Sequence, residues 1–239
     1  MNFTLVVPYY RNPGMLRRQA SEWIDYPDQV SVVVVDDGSP QDKAEDVLPV
    51  TCRAAVYRIE VDIPWNRNGA RNLGSHVAET QWILHVDVDH VLPVQSAREL
   101  VGRTLDPAWW YRFRRFRVGR ADETRQKDSL PADAEYGEVK PHIDSFLCRR
   151  KLYYEAGGYD EDYSGSLGGS APFLKRMESL VGEPSVLPYA PLHVYTRHAV
   201  PDASDLHLSR DRSRFKKLRR RKRDEIPGPS LRFPWHRAR

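Results

Sequence analysis

The sequence predicts an α/β fold, a mostly parallel central sheet flanked by helices, with a basic C-terminal tail. Three observations lead there. Two short runs rich in β-formers, "FTLVVPYY" at 3–10 and "VSVVVVDDGS" at 30–39, are continuously apolar rather than alternating, as in parallel strands covered on both faces. Helix-compatible segments separate these runs from each other and from later ones, giving a strand–helix–strand succession. The charge is also divided: from His207 onward there are 13 Lys and Arg against 3 Asp and Glu, or +10, which leaves the preceding 206 residues at −6.

Taken in order, "NPGMLRRQASEWI" places Met15, Leu16, Trp23 and Ile24 at helical spacing between the first two strands. "AAVYRIEV" (54–61) is the third strand, "NGARNLGSHVAE" (68–79) becomes a helix after its opening Asn-Gly, and "QWILHVDVD" (81–89) is the fourth strand. Asp36, Asp37, Asp87 and Asp89 then fall at the carboxyl ends of strands, where open α/β sheets collect ligands. In the second half, "AWWYRFRRFRVG" (108–119) alternates aromatic and basic residues as a strand with one polar face. Residues 121–138 are polar and expected to be a loop, and 142–177 read as a short strand, a Gly-rich turn and a helix start. "RDRSRFKKLRRRKRDE" is compatible with a basic helix; "IPGPSLRFPWHRAR" is not, because Pro227, Pro229 and Pro234 interrupt it.

At 239 residues the chain can bury a substantial core. Cys52 and Cys148 are too few for a disulfide framework and lack metal-binding spacing. Residues 1–25 do not follow the pattern of a signal peptide, and no window approaches the roughly 18 apolar residues of a membrane span. The expected location is the cytoplasm, with peripheral attachment to an anionic surface through the tail.

Two Asp at i and i+2 on a strand point to one side, so Asp87 and Asp89 can reach one hard cation; alternatively one caps a turn and the other is solvated. The carboxylates of "VVVVDDGS" can accept from base imide or ribose donors or form an Asx turn. Arg71, near a helix start, suits phosphate or a surface carboxylate.

In this order, "VVPYYRNPGMLRRQ", "VVVVDDGS", "NGARNLG", "HVDVDHVLP" and "CRRKLYYEAGGYDEDYSG" resemble the GT-A, Rossmann-like glycosyltransferases of the large family 2 type. The resemblance implies a GT-A domain over 1–206, with a nucleotide-sugar-binding half (1–92) and an acceptor half (93–206), followed by the basic tail 207–239. It implies that Pro8, Tyr9, Asp36 or Asp37, Arg71 and Asp87 surround a nucleotide-diphosphate sugar, by default a UDP-sugar. Asp87 and Asp89 would hold Mn²⁺ or Mg²⁺. The expected reaction is metal-dependent transfer of the sugar to an acceptor hydroxyl on a glycan or glycolipid; alternatives are transfer to hydroxymethylated bases in DNA, or an impaired sugar-nucleotide-binding protein.

The last segment is similar to galactosyltransferase-like enzymes, in which an acidic Glu-Asp pair supplies the base. Here Ser170 and Ala171 stand about where that pair belongs, which leaves Asp160, Glu161, Asp162 and Asp144 as candidate bases. Related enzymes place a late His in the metal site, which makes His193 the third candidate ligand and His198 its substitute; His85 and His90 are assigned supporting or structural roles. Of the aromatic residues, Trp65 is the candidate sugar platform. Residues 214–223 are the candidate polyanion contact, to an anionic membrane surface or to nucleic acid.

Overall fold

The computed structural model describes residues 1–63, 65–118, 135–166, 169–195, 212–221 and 230–239. His198, Pro227, Pro229, Lys222, Arg223 and most of 121–138 lie outside these, as do the side chains of Arg214 and Phe215.

The first half alternates strand and helix: β1 (Phe3–Tyr9), α1 (Pro13–Trp23), β2 (Val30–Asp36), α2 (Ala44–Val47), β3 (Ala55–Ile59), α3 (Arg67–Val77) and β4 (Trp82–His85). There follow β5 (His90–Val91), α4 (Val94–Val101), β6 (Trp110–Val118), β7 (Glu135–Val139), β8 (Phe146–Arg149), α5 (Arg150–Glu155), α6 (Ser170–Val181), β9 (Ser185–Tyr195), α7 (Arg212–Arg221) and β10 (Trp235–Arg237). One sheet runs β10-β3-β2-β1-β4-β8-β6-β9-β5, with β7 alongside β6. β3, β2, β1 and β4 are mutually parallel, so chain order reverses at β1 and opens a crevice beyond the carboxyl ends of β1 and β4.

The continuous apolar runs have the expected cause. In β2, Val32 and Val34 face a core shared with Leu16, Ala20 and Trp23 of α1, while Val33 and Val35 face Ala70 and Leu73 of α3. Asn12 caps α1, its side chain accepting from the Met15 N–H, and proline follows at the first helical position. Close packing of α3 on β1 depends on Gly74, where a Cβ would lie 2.2 Å from Val6 Cγ1.

Three expectations are corrected. The fourth strand stops at His85, and 87–90 form a turn closed by the His90 N–H on the Asp87 carbonyl at 2.9 Å; the side-by-side strand geometry read for Asp87 and Asp89 does not apply. Residues 135–138, taken as loop, belong to β7, paired with β6. The segment 142–177 also contains a whole helix, α5, between its strand and its glycines. At the end of the basic tail β10 pairs antiparallel with β3, which covers what would otherwise be an edge strand. Among the described residues no helix is long and apolar enough to cross a membrane.

Candidate active site

Beyond the carboxyl ends of β1, β2 and β4 lies a cleft of about 340 Å³, lined by Pro8, Tyr9, Tyr10, Asn12, Asp37, Trp65, Arg67, Asp87, Val88 and Asp89. The sequence placed Pro8, Tyr9, Asp37, Asp87 and Asp89 in such a site.

The adjacent carboxylates ending β2 have separate jobs. Asp36 is fully buried and spent locally: it accepts from the N–H groups of Ser39 (2.7 Å) and Ala44 (2.9 Å) and from Arg58 Nη1 (3.1 Å). It forms the turn into Gly38, whose φ of +76° and contact with the Val61 carbonyl suit only glycine. Asp37 faces the cleft, and its Oδ1 is buried without a hydrogen-bond partner. Burial, then the Asp36 charge, raises its pKa well above the ordinary carboxylate range.

Arg71 is fully buried. Its Nη2 donates to Asp87 Oδ1 and lies 3.7 Å from Asp144 Oδ2, and its guanidinium sits 5.3 Å from the centre of the Tyr159 ring. Against desolvation, the charges of Asp144 and Asp87 keep it cationic. Burial alone would raise the Asp87 pKa, but the Arg71 charge, with that of Arg67, outweighs burial and holds that carboxyl well below the usual range. Arg71 therefore supports Asp87 from behind rather than facing the cleft, contrary to its expected place beside phosphate. Arg67, one turn earlier, lines the cleft instead, with its guanidinium over Trp65 at 4.9 Å and 3.5 Å from Asp144 Oδ2.

Asp89 also lines the cleft; burial and the Asp87 charge push its pKa up to about 6. His142 Nδ1 lies 3.6 Å from Asp87 Oδ2, and one ligand atom each from Asp87, His90 and His142 fall within 4.8 Å of one another. His193 is outside this group, on β9 opposite Val91, with its ring 6.5 Å from Tyr195. His90, assigned a supporting role on strand geometry, reaches Asp87 because the chain turns there. His85 is structural: buried, 3.0 Å from Ser75 Oγ and stacked on Tyr153.

The four candidate bases are engaged. Asp144 is buried and accepts from the hydroxyls of Tyr159 (3.0 Å) and Ser170 (2.8 Å) besides pairing with Arg67 and Arg71. Asp160 accepts from the Asp162 N–H at the start of a 3-10 turn, Glu161–Tyr163. Glu161 accepts from Asn72 Nδ2 (2.8 Å) and the Arg232 N–H (2.9 Å), and Asp162 pairs with the Arg232 guanidinium. Ser170, expected near the missing acidic pair, begins α6 and donates to Asp144.

Sequence reasoning missed Tyr10, Asn12, Arg67 and His142 in this region. One signal survives only in the backbone: Arg11 and Trp65, beside or in the cleft wall, hold positive φ of 44° and 64°, a strained conformation for side chains of their size.

Solved structures share this architecture. TarS of S. aureus superposes with a TM-score of 0.58 at 17% identity, over 82% of this chain and 37% of TarS. TarS residues 1–349 bound to UDP-GlcNAc give 0.58 and 17%, covering 82% of this chain and 59% of that one. The mannosyltransferase PcManGT of Pyrobaculum calidifontis, with GDP-Man and Mn²⁺, gives 0.56 and 16%, covering 80% and 56%. This chain thus spans well under two thirds of those proteins, and at such identities the likeness is one of fold. No curated protein matches the sequence. The family description "Glycosyl transferase family 2" matches residues 4–165, the stretch that builds the parallel sheet, the cleft and the Asp87 network, and by that match the chain belongs to glycosyl transferase family 2.

Proposed function

We propose that the protein transfers a sugar from a nucleotide-diphosphate sugar to an acceptor hydroxyl, using the cleft at β1, β2 and β4. The observation that carries this is the convergence of Asp37, Asp87 and Asp89 on one cleft with Trp65 and Arg67 at the start of α3. Asp37 Oδ1, buried without a partner, is an acceptor for a base imide or ribose hydroxyl. The N-terminus of α3 and the Arg67 guanidinium suit the diphosphate. Trp65, strained and held beside Arg67, offers a flat face to the sugar.

A divalent cation held by Asp87 and Asp89 would neutralise charge on the departing nucleoside diphosphate. The chain fits such an ion: two neighbouring carboxylates share the cleft, one with its pKa raised by burial and by the charge of the other, and the buried His142 Nδ1 has no hydrogen-bond partner. Arg71 keeps Asp87 ionised. The acceptor hydroxyl attacks the anomeric carbon as the bond to the diphosphate breaks, and its proton passes to a base. Asp144, with four donors around it, is better suited to holding Arg71 and Arg67 in place than to taking that proton.

The chain also carries a basic surface helix. α7 packs beside the Glu161–Tyr163 turn, burying Leu218 and exposing Lys216, Lys217 and Arg220. This supports attachment at an anionic surface and a glycan or glycolipid acceptor. The engagement of Asp160, Glu161 and Asp162 favours a second reading, a sugar-nucleotide binder without transfer.

A thermal-shift screen of UDP-, GDP- and dTDP-sugars, each with Mn²⁺ or EDTA, tests the proposal on the wild type and Asp89→Ala. The expected result is stabilisation by one nucleotide class that needs both Mn²⁺ and Asp89. Absence of any shift overturns the donor site. Donor binding without metal-dependent donor hydrolysis favours the binder.

A further inference from the structure

Two side chains of one turn, Asp87 after β4 and His90 opening β5, meet a third that is distant in sequence, His142 in the segment leading to β8, beside the cleft. The rings of His90 and His142 pack edge to face with centroids 4.6 Å apart. His142 Nδ1, buried and without a hydrogen-bond partner, looks across 3.6 Å at Asp87 Oδ2, the carboxylate oxygen that Arg71 leaves free.

The His90 tautomer follows from its partners. Its Nε2 lies 2.9 Å from Arg115 Nη1 and its Nδ1 lies 2.7 Å from Ser145 Oγ. A guanidinium only donates, so Nε2 carries the lone pair and Nδ1 the proton, which it gives to Ser145. An imidazole fixed in this way, with its outer nitrogen donating to the protein, has the arrangement of a metal-binding histidine. Arg115, which also donates from Nε to the Lys140 carbonyl at 2.8 Å, places a positive group on that lone pair where a cation would otherwise sit.

We propose that Asp87, His142 and His90 form a mixed oxygen and nitrogen site for a borderline divalent cation of the Mn²⁺, Co²⁺ or Zn²⁺ class, with Arg115 competing for His90. The proposal deepens the metal reading above and rests on it, assigning the nitrogen ligands to His142 and His90 in place of His193. Two imidazoles beside a carboxylate disfavour Mg²⁺ and Ca²⁺, which prefer all-oxygen sets.

The test uses the full chain without nucleotide. Co²⁺ is titrated by visible absorption, and Mn²⁺ loading is followed by pulsed electron paramagnetic resonance, which detects ¹⁴N coupled to the ion. The wild type is expected to show imidazole nitrogen coupling and to bind Co²⁺ far more tightly than Mg²⁺. His142→Ala should remove one nitrogen coupling and weaken Co²⁺ by at least about tenfold, whereas His193→Ala should change neither. Arg115→Gln should tighten binding by freeing His90. Circular dichroism confirms that each variant is folded.

Ion bound without nitrogen coupling, with an affinity unchanged by His142→Ala, overturns the histidine site and leaves the carboxylate pair standing. No ion bound by the wild type overturns both, and the donor site is then judged by nucleotide-dependent thermal shifts in EDTA.

Discussion

Arg71 and Asp87 form an ion pair in which the guanidinium is wholly buried and the carboxylate borders the cleft. The same Nη2 lies within ion-pair distance of Asp144, so one cation serves two carboxylates from segments far apart in sequence. Removing it leaves buried negative charge uncompensated. Arg71→Ala should destabilise the fold by about 3–5 kcal/mol, measured by urea denaturation. Adding Asp144→Ala should recover part of the loss, with a coupling of about 0.5–3 kcal/mol in the double-mutant cycle. Additive losses would show that the two residues act independently.

Asp37 sets stability against ligand binding. Its folded pKa is raised by burial and by Asp36, so its proton is held more tightly in the folded state than in the unfolded one. Its contribution is therefore most favourable below the unfolded carboxylate value, near pH 4, and is lost as pH rises through the raised folded value. Asp37→Asn should match the wild-type melting temperature near pH 4, exceed it at neutral pH, and weaken nucleotide binding. A melting-temperature gap that stayed constant across this range would contradict the assignment.

The two cysteines should separate cleanly. Cys148 is fully buried in β8, opposite Ile83 of β4, and burial pushes its thiol pKa up; Cys52 is half-buried. A disulfide reagent on the native protein should label Cys52 alone, and Cys148 only as denaturant unfolds the sheet. Rapid native labelling of Cys148 would mean that β8 opens locally.

The basic helix gives a charge-reversal test. Lys216→Glu, Lys217→Glu and Arg220→Glu together should weaken binding to vesicles rich in anionic lipid by at least about a hundredfold, at roughly 1 kcal/mol per charge. Binding should also fall with added salt. Leu218 is left in place because it docks the helix. Unchanged vesicle binding would argue against an anionic-surface role.

The first half was the more legible in sequence, because its strands are buried on both faces and its carboxylates follow apolar runs directly. Val32 to Val35 announce β2, and the abrupt Asp36-Asp37 announces its end. Which aspartate faced the cleft was hidden, since it depends on Ala44 and Arg58 closing around Asp36. The second half was obscured by antiparallel strands with mixed faces. β9 contains Pro188 and Pro191, which read as breakers, and its pairing with β6 absorbs them through an irregularity between Phe113 and Arg115. The grouping of His90 and His142 around Asp87 depends on a turn and on a contact 55 residues along, from Ser145 to His90, which no local pattern encodes.

The shared Arg71 couples the two halves of the chain. The parallel-stranded half of the chain and the half that follows it look independent, because they are consecutive and differently built. Asp144 lies in the second half, yet it shares with Asp87 the guanidinium that Arg71 extends from α3. A change at any one of these three positions alters the charge balance seen by the other two, so the carboxylate bordering the cleft is tied to a position far along the chain.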